Sequence, residues 1–127
     1  MKPFAVAADR LPHPPGPFSQ AVYAGNIVFV AGQPGIDLND GSLSDDFETQ
    51  ARQAFENLST VLQASGSSLA HVVKTTVWLC DAQNFDTLNR LYAEYFPQNA
   101  PARSTPIVQL PRPKLQISIE AIALLGE

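Results

Sequence analysis

The sequence holds a single cysteine, Cys80, so no disulfide can form within the chain. Cys80 ends the apolar, strand-like run KTTVWLC and is expected to act as a small buried hydrophobe. No lysine-rich or histidine-bearing surroundings mark it as a reactive thiol. Histidine is equally scarce: His13 and His71 lie far apart, and no HxxxH or CxxC pair exists, which argues against a structural zinc site. Positive charge is sparse, with 8 Lys and Arg against 12 Asp and Glu and a net charge of −4. Without a basic run, a nucleic-acid surface is not expected. No apolar stretch approaches the ~20 residues that cross a bilayer. The N-terminal MKPFAVAADRLPHPPGP lacks the long apolar centre of a secretory signal, so the expected location is the cytoplasm. The glycine patterns GxGxxG and GxxxxGK[ST] are missing, which removes the usual phosphate cradles. There is no internal repeat and no low-complexity segment.

What is present suits one domain spanning residues 1–127. With 45% hydrophobic and 16% charged residues, a chain of this length can bury a core without disulfide or metal staples. Residues 12–17, PHPPGP, read as a proline-rich loop. FSQAVYAG and NIVFVAGQPG flank the turn pair Gly25-Asn26 and predict a hairpin. The loop GQPGIDLNDGSL follows, and then the clearest helical stripe: Phe47, Ala51, Ala54, Phe55, Leu58, Val61 and Leu62 recur at a period near 3.6. Asp45 with Glu48 has capping-box spacing, and Gly66 is placed to stop the helix. HVVKTTVWL is β-branched and reads as a strand. NFDTLNRLYAEYFP carries a second helical stripe of Phe85, Leu88, Leu91, Tyr92, Tyr95 and Phe96, ended by Pro97. PIVQL and LQISIEAIALL are expected as two closing strands around the turn PRPK.

The predicted order is β-β-α-β-α-β-β, with a short extra strand near residues 4–7 and both helices on one face of the sheet, an α/β (α+β) architecture. Several strands are apolar at successive positions, as in IVFVAG. Two apolar sheet faces with helices for only one predict burial against another copy of the chain.

The last strand alternates, with Leu115, Ile117, Ile119 and Ala121 on one face and Gln116, Ser118 and Glu120 on the other, continued by Ile122 and Leu124. Glu120 thus stands where a polar face turns apolar, either as a solvated strand residue or as a carboxylate at the rim of a cleft. If PRPK were the centre of a hairpin, Thr105 would oppose Glu120 and Arg103 would oppose Ile122, bringing Arg103, Thr105 and Glu120 to one face. A one-residue slip, or strands that are not neighbours, would break that relation. Such a pair reads either as a cross-strand ion pair or as a functional couple. In the second case, an arginine fork grips a carboxylate and a glutamate manages a water or a proton.

PGPFSQAV, VFVAGQPG, QARQAFENL, VVKTTVWL, FDTLNRLYAEYF, PARST and ISIEAIA, taken in this order, resemble the Rid (YjgF-type) family of reactive intermediate, or enamine/imine, deaminases. The resemblance covers roughly residues 14–124. It implies a chorismate-mutase-like fold, a barrel-like homotrimer with a site in each cleft between subunits, and hydrolysis of short-lived 2-imino acids to 2-oxo acids and ammonia. An example is 2-iminopropanoate, formed from 2-aminoacrylate. It implies no metal and no organic cofactor. By that resemblance Arg103 clamps the substrate carboxylate, Glu120 positions water and moves protons, and the Thr105 backbone helps to hold the carboxylate. Gly32 and Asn89 match positions near the cleft. The chain departs from the family pattern at Phe18, where Tyr is frequent, at Ala31, where Ser is frequent, and at Thr105, where Cys is frequent. The first two changes remove hydroxyls that could bond substrate or water, each worth roughly 0.5–1.5 kcal/mol net. The alternative reading is a non-catalytic trimer that binds 2-oxo acids in the same cleft.

Overall fold

The structure, a computed structural model, describes residues 2–7, 11 and 13–126. Its strands are β1 (Phe4–Ala5), β2 (Ala21–Ala24), β3 (Ile27–Pro34), β4 (Val72–Leu79), β5 (Ala102–Ser104) and β6 (Ile117–Leu124). Its helices are α1 (Phe47–Ala64) and α2 (Phe85–Tyr95). The predicted order is found, and the short N-terminal strand is β1. Of the predicted proline-rich loop, Pro12 lies outside the described residues, and residues 13–17 form neither helix nor strand. No helix among the described residues is long and apolar enough to cross a membrane.

Turn and cap chemistry set the boundaries. Gly25 has φ 63°, the positive angle that the first position of a tight hairpin turn demands, and Ala24 pairs with Ile27 across it. The α1 cap falls one residue later than Asp45–Glu48 spacing suggests. Asp46 keeps an extended backbone, and its carboxylate accepts from the Thr49 N–H at 2.9 Å and the Thr49 hydroxyl at 2.8 Å. At the other end Gly66 has φ 82°, the Ser67 N–H donates to Leu62 O and the Gly66 N–H donates to Gln63 O, a Schellman closure.

All seven residues of the α1 stripe are buried, together with Leu88, Leu91, Tyr92 and Phe96 of the α2 segment. They pack on Val28, Val30, Val77, Leu79, Ile117, Ile119, Ala121 and Ala123, every second residue of β3, β4 and β6. Both helices therefore cover one face of the sheet. On the opposite face Val22, Ala24, Ile27, Phe29, Ile122 and Leu124 form an apolar strip with no layer over it among the described residues, and Phe29 and Leu124 are 43% and 41% exposed.

The sheet is six-stranded in the order β1-β2-β3-β6-β4-β5. Every neighbouring pair is antiparallel except β4 and β5, which are parallel. This overturns the hairpin expected around PRPK: the C-terminal strand inserts between β3 and β4, and β5 pairs only with the far edge of β4. It also moves the penultimate strand. PIVQL is not a strand; the regular pairing is made by Ala102–Ser104, and Ile107 contributes an isolated bridge to Leu79. The prolines explain both shifts. Pro106, Pro111 and Pro113 supply no N–H to a ladder, so residues after Ser104 cannot extend a two-sided strand. The segment instead crosses the end of β4, where Leu79 N–H donates to Pro106 O and Val108 N–H to Leu79 O.

Candidate active site

Glu120 stands on the uncovered face of β6, directly opposite Thr76 of β4. On its other side the β3–β6 ladder slips: Val30 pairs with Ala121 and Gln33 with Ile119, so Ala31 and Gly32 together span the place of Glu120. Such a bulge redirects backbone and side chains beside it. Gln33, itself buried, fastens the bulge, its amide donating to Ala31 O at 3.0 Å and to the Gln20 carboxamide at 2.9 Å. Gly32 lies tight against Ser118, and a Cβ there would sit 2.6 Å from the Ser118 Oγ. Ala31 and Gly32 are far from Glu120 in sequence, and the β3–β6 pairing brings their bulge beside it.

Glu120 has a partner that the sequence reading did not name. The indole Nε1–H of Trp78 donates to Glu120 Oε1 at 2.9 Å. Alternation in KTTVWLC could have put Trp78 on the uncovered face, since Val77 and Leu79 are buried beneath the helices. Nothing local identifies the carboxylate it meets, 42 residues away. Phe18 is 48% exposed and joins Gly32, Gln20, Gln33, Leu38 and Leu115 in lining a groove of about 540 Å³ that runs off the bulge.

Arg103 occupies different ground. In register with Thr75, it takes the helix side of the sheet at the β5 edge. Its Nη2 donates to Asn89 Oδ1 at 2.7 Å, and its guanidinium carbon lies 4.7 Å from the Tyr92 ring centroid and 5.6 Å from that of Phe85. Stacking of this kind suits the planar, weakly hydrated guanidinium. The Tyr92 hydroxyl is 2.6 Å from that of Thr75 in the core, and burial pushes its phenol pKa up despite that hydrogen bond and the nearby Arg103 charge. Tyr92 and Phe85 were legible only as members of an apolar helix stripe; their role as a cradle for Arg103 depends on the parallel β4–β5 pairing. Thr105 is half-buried just beyond β5.

The candidate residues therefore fall into two separate groups within one chain. Arg103, Asn89 and Thr105 lie at the β5 edge, and Glu120, Ala31, Gly32 and Phe18 lie on or beside the uncovered face. The sequence-based expectation that Arg103, Thr105 and Glu120 share a face through a hairpin fails, because β4 separates the two strands. The backbones of Arg103 and Glu120 are about 10 Å apart at ordinary strand spacing, and their side chains leave opposite faces. Among the described residues no three His, Cys, Asp or Glu side chains gather as a metal site.

Comparison with known proteins bears on this geometry. The family described as Endoribonuclease L-PSP matches residues 9–125. A RutC family protein of Pyrococcus horikoshii is 44% identical over 93% of this chain and 94% of its own. The 2-iminobutanoate/2-iminopropanoate deaminase of Homo sapiens is 38% identical over 95% of this chain and 89% of its own. Among solved structures, that of E. coli TdcF with bound serine superimposes with a TM-score of 0.88 at 32% identity, covering 97% of this chain and 99% of the other. With nearly its whole length matched in sequence and in fold, the chain belongs to the endoribonuclease L-PSP family, the YjgF/Rid family.

Proposed function

We propose that the protein is an enamine/imine deaminase, hydrolysing short-lived 2-imino acids such as 2-iminopropanoate to 2-oxo acids and ammonia without metal or organic cofactor. The observation that carries this reading is the state of Arg103. Among the described residues it forms no ion pair, yet it is oriented by Asn89 and stacked on Tyr92. A preoriented guanidinium without a carboxylate is a receptor for one. The deaminase name carried by the human relative and the serine bound by the E. coli protein support the same class of ligand, a small molecule with a carboxylate next to a nitrogen-bearing carbon.

In this reading the substrate carboxylate docks on Arg103, assisted by the Thr105 backbone. Glu120 holds a water against the imine carbon and takes its proton as the C–O bond forms. Glu120 passes this proton to the nitrogen, then carries the proton of the new hydroxyl to the same nitrogen as the C–N bond of the tetrahedral adduct breaks, so that ammonia leaves and a carbonyl remains. Phe18 and Ala31 contribute apolar surface. Since Arg103 and Glu120 diverge within one chain, the working cleft forms between copies, with Arg103 from one and Glu120 from its neighbour. The uncovered apolar strip around Phe29 provides the contact, and the assembly is a homotrimer in the cytoplasm.

The test is to generate 2-iminopropanoate in situ from the amino acid and follow its partition between keto acid and semicarbazone with semicarbazide as competitor. The expected result is that wild type accelerates keto-acid formation and Glu120→Ala does not. Arg103→Lys, which keeps the charge but loses fork and stacking, should lower kcat/KM by about 10- to 100-fold. A wild type inert toward several imines that still binds pyruvate would replace this reading with the non-catalytic 2-oxo-acid binder.

A further inference from the structure

We propose that Trp78 is the positioning residue for Glu120: its indole N–H fixes one carboxylate oxygen and leaves the other to hold the attacking water. The inference rests on the hydrolytic reading of Glu120 given above. The geometry is specific. Trp78 pairs with Ser118 and Glu120 with Thr76, so Trp78 and Glu120 are diagonal neighbours on the same face of adjacent antiparallel strands. A diagonal of this kind is within reach only of a long or aromatic side chain. The indole N–H is a donor with no acceptor capacity, and its bond to Glu120 Oε1 is 2.9 Å long. Thr76, which directly opposes Glu120, makes no such bond among the described residues.

The chemical consequence follows from the rest of the face. A glutamate on an uncovered strand would otherwise sample several rotamers, and a water held by it would move with it. Tying Oε1 to a ring that is itself half-buried restrains the torsions of Glu120, while Oε2, which has no hydrogen-bond partner among the described residues, stays free to accept from water. With Phe18 and Ala31 offering no hydroxyl, Trp78 is the aromatic donor that this chain does provide beside Glu120. A residue that only filled apolar surface would serve equally well without the nitrogen, which makes the two roles separable.

The experiment compares wild type, Trp78→Phe, Glu120→Ala and the double variant, by steady-state kinetics on 2-iminopropanoate and by the indole N–H resonance. Trp78 is the only tryptophan, so that resonance is single and needs no assignment. Trp78→Phe keeps the ring and is expected to lower kcat about tenfold with KM little changed. In the Glu120→Ala background the same change should have no further effect, and Glu120→Ala should move the indole N–H resonance upfield. A Trp78→Phe kcat within twofold of an active wild type overturns the inference, as does an indole resonance indifferent to Glu120→Ala. If wild type is inert but the resonance does move, the hydrolytic reading falls and the positioning contact stands.

Discussion

Arg103 and Glu120 sit two strands apart and project from opposite faces of one sheet, with Thr75 in register with the first and Thr76 with the second. Consecutive residues of β4 thus index the two candidate residues, and the alternation of side chains along β4 separates them.

If each cleft takes Arg103 from one copy and Glu120 from the next, two inactive variants should rescue each other. Arg103→Ala and Glu120→Ala chains, unfolded together and refolded as mixed trimers, are expected to rebuild about a quarter of the clefts by random assembly. The same proteins refolded separately should stay inactive. Activity assays on the mixture decide it: no recovery would place both residues in one chain's site.

The apolar strip on the uncovered face should be the glue. Phe29→Asp puts a charge where a 43%-exposed ring now stands. The expected product is a monomer by light scattering, with an unchanged far-UV spectrum and no deaminase activity. An assembly of wild-type mass would remove this strip as the interface.

Gly32 in the bulge and Gly35 just beyond β3 differ sharply in what they tolerate. A Cβ at Gly35 would lie 2.0 Å from Gln50 O, part of the α1 backbone, which has nowhere to move. Gly35→Ala is expected to cost at least about 3 kcal/mol in urea denaturation. At Gly32 the obstacle is the terminal Oγ of Ser118, which can rotate, so Gly32→Ala should cost less than about 1 kcal/mol. Adding Ser118→Ala should erase that penalty.

Burial raises the phenol pKa of Tyr92 above its ordinary value, and that of Tyr95 as well. A raised folded-state value means that folding favours the protonated phenol. The associated stability is complete below the unfolded pKa of about 10 and is lost as pH climbs through the folded value. Denaturant titrations across that window should show stability falling with pH. Tyr92→Phe should flatten the slope in part, leaving the contribution of Tyr95.

Much of the fold could be read from the sequence because its signals are local. The α1 stripe from Phe47 to Leu62, the Gly25-Asn26 turn and the alternation from Ile117 to Leu124 each depend on neighbours within a few residues. Strand order is not local. PIVQL has the composition of a strand, and PRPK that of a turn, yet whether they make a hairpin depends on whether β4 competes for the edge of β6. It wins with a long register against three residues of β5. The site shared this fate. Motifs single out Arg103 and Glu120 as candidates, whereas the contacts that Trp78 and Tyr92 make with them emerge only once the pairing partners of β4 are known. Asp46 displaced Asp45 as the helix cap by a single residue, since both carry the same chemistry and only the backbone turn distinguishes them.

The place of β6 also governs when the molecule can exist at all. The last of the described strands in chain order lies at the centre of the sheet, hydrogen-bonded to β3 on one side and β4 on the other. A nascent chain that has delivered everything up to Gln116 owns both helices and every other strand, but β3 and β4 then face a vacant slot, with two unpaired edges. The core residues Ile117, Ile119, Ala121 and Ala123 arrive only with the final stretch. The sheet therefore closes only once residues 117–124 are in place, and a chain cut before Ile117 keeps a sticky, incomplete sheet rather than a slightly weaker one.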